Sequence, residues 1–91
     1  MEENIQAIAN VLQETGQAHH QAFIEVDGAD DDWAIWYAEY LFGKLNDKLN
    51  TSLTRTELVV ILVELDQKYK ATNPDTHWSR FYATELIKRF N

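Results

Sequence analysis

The sequence predicts an all-α fold, a single four-helix domain over residues 1–91 built as two helix hairpins that carry the marks of an internal pseudo-twofold repeat. Three observations predict it. Apolar residues recur three and four apart in four segments, without the alternation of a strand. One segment opens on a complete helix-start signal at Leu53–Leu58. Two segments, "WAIWYAEYLFGKL" from Trp33 and "WSRFYATELIKRF" from Trp78, match at Trp, at the aromatic pair, at Ala and at Leu, forty-five residues apart. Ninety-one residues are too few to divide their apolar side chains between two cores.

The first helix is predicted near residues 3–25, where Ile5, Ile8, Leu12, Thr15, His19, Phe23 and Val26 define one face. Gly16 lies inside it and costs about 1 kcal/mol against Ala, so it marks a weak point or a close approach by another helix. The second is expected near 31–48, with Asp30 or Asp31 capping its amides and neighbouring carboxylates favouring its positive end. Its stripe is Trp33, Trp36, Tyr37, Tyr40, Leu41 and Leu45.

The third, near 55–70, begins at a capping box of Thr54 and Glu57, with Leu53 and Leu58 as the hydrophobic staple. Val59–Leu65 is apolar on more than one face, which predicts the most buried element. Asn73-Pro74 has the form of a cap followed by a first helical position, so the fourth helix is expected over 74–90. Leu12, Trp36, Tyr37, Leu41, Leu58, Leu62, Tyr82 and Leu86 are expected among the most buried side chains. The repeat makes packing the economical role of the rings, with Ala38 and Ala83 admitting close helix contact; a ring-lined cleft is the alternative.

Charge narrows the partners. The net charge is -7, yet residues 1–43 hold nine acids and no base, while 44–91 hold six acids and eight bases. That distribution offers no basic track for nucleic acid. The longest apolar run, Leu58–Val63, is far too short for a membrane span, and the N-terminus has no basic region followed by an apolar one. Absent cysteine excludes disulfides and thiolate sites and suits a reducing compartment, so a cytoplasmic location is expected.

Legible chemistry is sparse. His19 and His20 are adjacent and so point about 100° apart on a helix, poor geometry for one ion. Glu25–Asp32 holds five carboxylates but lacks the alternating ligands of a calcium loop. No metal site, catalytic group or cofactor is therefore expected. If the rings do form a cleft between the hairpins, Tyr37, Tyr82, His19 and His77 are its candidate polar groups, for a small-molecule-binding protein or an enzyme.

"SLTRTELVVIL", Ser52 to Leu62, resembles the serine and second helix of acyl and peptidyl carrier proteins, which are small, acidic and four-helical. The resemblance implies phosphopantetheine on Ser52, with Leu53, Glu57, Leu58 and Val59 in the recognition helix. Thr51 stands where that family has Asp, and no glycine-containing loop precedes it.

The leading expectation is a non-enzymatic protein-interaction module that associates with a protein partner or with itself as a homodimer. Eleven aromatic residues are a large apolar supply for four helices, so some of Phe23, Tyr40, Phe42, Tyr69 and Phe90 are expected outside the core, on a contact surface involving the C-terminal half. The acid-only half of one copy attracts the slightly basic half of another; a twofold dimer instead pairs apolar faces and leaves the acids outside. The competing reading is a monomer whose rings all fit inside.

Overall fold

Among the described residues four α-helices run in sequence, α1 over Glu2–Ala22, α2 over Trp33–Leu49, α3 over Arg55–Thr72 and α4 over Trp78–Phe90, with a short 3-10 turn at Ile24–Val26. The computed structural model describes residues 2–26 and 32–90. Neighbours pack in up-down order: α1 lies between α2 and α4, and α2 packs on α3. The α3–α4 seam is much sparser than the other three. That ordering sets the end of α1, the start of α2, the end of α3 and the start of α4 side by side at one end of the bundle.

The predicted face of α1 is the one that enters the core: Ile8, Leu12, Thr15 and His19 are buried, while Ile5 and Phe23 are half-buried. Thr15 spends its hydroxyl locally, donating to the Val11 carbonyl at 2.7 Å. On α2 the buried side chains are Ala34, Ala38, Leu41 and Leu45. Trp36 and Tyr37, expected among the most buried, are only half-buried. The small alanines draw the helices too close for indoles or phenols between them, so the rings spread to either side of the Ala–Leu seam. Leu12, Leu41, Leu58, Leu62, Tyr82 and Leu86 do sit in the core, each at most 4% exposed.

α3 opens as predicted. The Glu57 amide donates to Thr54 Oγ1 at 3.1 Å and the Thr54 amide to Glu57 Oε1 at 2.9 Å, with Leu53 and Leu58 both buried. It is not the most enclosed helix, however. Leu58, Ile61, Leu62 and Leu65 face inward, but Val60 is 54% exposed and Val63 37% exposed, because the second apolar face of the run has no neighbour. Asn73 closes α3 instead of opening α4: it adopts left-handed φ 46°, ψ 54°, and its amide donates to the Tyr69 carbonyl. Asn tolerates this conformation and Pro74 prevents continuation, so the pair works as a stop.

The capping expected of Asp30 or Asp31 lies outside the described residues. Asp32 occupies the cap of α2 through its carbonyl, which accepts from the amides of Ile35 at 3.0 Å and Trp36 at 3.4 Å. Between α2 and α3, Asn50 takes left-handed φ 56° and Asn46 holds the loop. Its Oδ1 accepts from the Leu53 amide (2.9 Å) and Thr51 hydroxyl (2.8 Å), and its Nδ2 donates to the Leu53 carbonyl (2.9 Å).

Ion pairs cross the helix seams: Glu14–Lys44, Glu39–Arg55, Glu2–Arg80, Glu64–Arg89 and Glu85–Lys68. Most bases of the C-terminal half are thus already matched by acids of the same chain, leaving little basic face for the acidic half of a second copy. Hydrogen bonds from Arg80 to Glu2, from the Thr54 amide to Glu57 and from Lys68 to Glu85 hold these three carboxyls below their ordinary value of 4.5. Carboxyls lowered by folding contribute stability above that ordinary value and lose it as pH falls through their folded values. Urea midpoints measured from pH 7 downward are therefore expected to stay level to about pH 5 and to fall at about pH 4 and pH 3.

Candidate functional site

The end where α1 finishes and α2 begins carries most of the rings. His19 is buried against Phe23, Trp36 and Tyr37, with ring centroids 4.8, 5.3 and 5.4 Å away. Trp36 stacks outward on Tyr40 at 5.5 Å, and the Tyr40 hydroxyl donates to Glu14 at 2.7 Å. On the other flank of α2, Trp33 meets Tyr37 edge-on, Tyr37 meets Trp78, and Trp78 meets Tyr82. This second row bridges α2 to α4.

Gly16 explains how the row fits. A Cβ there would stand 3.3 Å from the Tyr37 hydroxyl and 3.4 Å from the Trp78 ring. Of the two readings open from sequence, close approach is the one realised, though by side chains and not by a helix backbone.

Tyr37 and Trp78 form a wall with a cleft on each side. The first, an open cleft of ≈ 640 Å³, lies between α1 and the start of α4, and Gln13, Gln17, His20, Gln21 and His77 complete its lining. His77 also caps α4: its carbonyl accepts from the Arg80 and Phe81 amides, and its Nδ1 accepts from the Ser79 amide at 3.3 Å. The same Nδ1 is hydrogen-bonded to the Ser79 hydroxyl across 2.8 Å. Gln13 Nε2 in turn donates to that hydroxyl at 3.0 Å. Ser79 is fully buried, which makes this serine–histidine pair a helix-start fixture that orients the imidazole at the cleft.

The second cleft, ≈ 300 Å³, opens where α3 and α4 part, and its walls are Trp33, Tyr37, Tyr69, Trp78 and Tyr82 with Asp66 and Lys70. The Tyr82 hydroxyl donates to Asp66 Oδ1 at 3.4 Å, and Lys70 Nζ lies 3.0 Å from Asp66 Oδ2. Burial, then the Asp66 charge and hydrogen bond, push the Tyr82 phenol well above its ordinary range, and burial raises Tyr37 as well. Both tyrosines are therefore neutral hydroxyl donors at physiological pH.

The four polar candidates thus divide. Tyr37 and His77 share the first cleft and Tyr37 and Tyr82 the second, whereas His19 lines neither and packs behind the wall. The candidate interface rings are half-buried: Phe23 against His19, Tyr40 on Trp36, Phe42 under the Arg55 guanidinium at 4.2 Å, and Phe90 in a groove between α3 and α4. Among the described residues the exposed large apolar side chains are aliphatic: Ile24, Ile35, Val60 and Val63. Ser52 is exposed in the α2–α3 loop held by Asn46.

Sequence reasoning missed Trp33, Trp78, Tyr69, Asp66, Lys70 and His20 as lining residues. The signal available was topological, since up-down order places the last turns of α1 and α3 beside the first turns of α2 and α4. Among the described residues no three His, Asp or Glu side chains gather as metal ligands, and no helix is long and apolar enough to cross a membrane. In comparison with known proteins, no family model matches this chain, no curated protein matches it, and no solved structure matches it.

Proposed function

We propose that this chain is a non-enzymatic protein-interaction module that self-associates through the groove between α3 and α4. The observation that carries the reading is the exposed second apolar face of α3. Val60 borders a groove of ≈ 380 Å³ lined by Leu53, Thr56, Glu57, Ile61, Arg89 and Phe90, at the end of the bundle remote from the aromatic clefts. A protruding valine edge beside an apolar groove suits an isologous contact, in which one patch supplies ridge and recess to its own copy.

Charge favours a second copy seated in this way. Pairing the halves that carry eight bases and six acids keeps the acid-only halves apart, on the outside of the pair. In this reading residues 1–91 act as one cytoplasmic domain, its two hairpins related by the Trp33 and Trp78 motifs.

Sedimentation equilibrium in physiological salt, from about 1 to about 100 µM, tests it. The expected mass rises towards twice the 10.6 kDa of the chain. Val60→Asp is expected to return it to the single-chain value with its helical spectrum intact, and Ile35→Asp, on the exposed face of α2, to leave association unchanged. A single-chain mass at every concentration ends the self-association reading.

A further inference from the structure

We infer that the cleft between α2, α3 and α4 is a binding site for a small quaternary ammonium cation of the choline type. Trp33, Tyr37, Tyr69, Trp78 and Tyr82 line it, and neighbouring rings stand steeply to one another: 86° for Trp33–Tyr37, 78° for Trp78–Tyr82 and 76° for Tyr69–Tyr82. Rings set at such angles do not all turn an edge to the same volume, and a π face that borders it attracts a rounded cation. Asp66 supplies the full negative charge in the lining.

The choice of a quaternary over a primary ammonium follows from hydrogen-bond supply. A primary ammonium brings three donors that need acceptors when desolvated. Asp66 accepts from the Tyr82 hydroxyl and pairs with Lys70, so it and the phenol oxygens give a primary ammonium few acceptors that no other donor shares. A trimethylammonium group brings charge and methyl surface but no donor, so it fits apolar walls without unmet bonds.

Lys70 is the chain's own competitor for the carboxylate. It is largely exposed and four residues from Asp66 on the same helix, a pair weak enough for a ligand to displace. The chain's cation–π contacts among the described residues, Lys44 with Tyr40 and Arg55 with Phe42, lie on rings other than the five that line this cleft.

The test is titration of the intact protein with choline, followed by the indole resonances of its three tryptophans, up to about 20 mM ligand. Trp33 and Trp78 are expected to shift saturably and Trp36, outside the cleft, to stay still. The neutral isostere, with tert-butyl in place of trimethylammonium, is expected to bind at least about tenfold more weakly. Asp66→Asn is expected to weaken choline by about tenfold, and Lys70→Gln to tighten it by about two- to threefold, both with unchanged helical spectra. Absence of a saturable shift at Trp33 and Trp78, or equal affinity for the isostere, overturns the inference. Unchanged choline affinity in both variants overturns the role given to Asp66. Val60→Asp, at the remote groove, leaves choline binding intact, so the site and the self-association reading fail or stand separately.

Discussion

Leu62→Ala is expected to lower the free energy of unfolding by about 3 to 5 kcal/mol, measured by urea denaturation at neutral pH. Leu62 is fully buried in the middle of α3, amid a core that includes Leu12, Leu41, Leu58 and Leu86. Truncation removes its transfer free energy and leaves a cavity in a packed core that cannot fully collapse. Domains of this size have about 5 to 15 kcal/mol in total, so this variant is near the edge of folding at room temperature. Trp36→Ala gives the contrast. From sequence it belonged with the core residues, but a half-buried ring stacked on Tyr40 forfeits only about 1 to 2 kcal/mol.

Asn46→Ala is expected to cost about 2 to 3 kcal/mol, for a different reason. One amide side chain satisfies the amide and carbonyl of Leu53 and the hydroxyl of Thr51, groups in a part-buried loop that methyl cannot serve. It also fixes where Leu53 enters the core, one residue before the Thr54 capping box. Thr51→Val, which removes only one of the three bonds, is expected to cost about 1 kcal/mol or less, so the difference in urea midpoints between the two variants isolates the backbone bonds.

Local signals were readable where one residue pattern has one structural meaning. The α1 stripe through Ile8, Leu12, Thr15 and His19 is single-sided, and the Thr54–Glu57 reciprocity is a short-range hydrogen-bond requirement; both survive in the structure. Asn73-Pro74 was ambiguous because Asn serves both ends of helices, and its role as a stop depends on α3 continuing to Thr72. The flanking position of Trp36 and Tyr37 was hidden for a related reason. Periodicity assigns a face to within a fraction of a turn, and Ala34 and Ala38 then shift the seam away from the rings. The full lining of the clefts was beyond local patterns, since Trp33, Asp66 and Trp78 come from three helices and meet only because α3 and α4 part.

That sparse seam bears on how the chain assembles. α4 finds most of its packing on α1, the helix farthest from it along the chain, and little on α3 immediately before it. Contacts such as Gln13–Ser79 span 66 residues, and closing so long a segment costs entropy that local packing has not yet repaid. α4 thus acquires firm support only once α1 is in place beside it, and the first helix waits on the last for its second neighbour. The bundle therefore closes through a contact between the two ends of the described chain, and not by stacking each helix on the one before it.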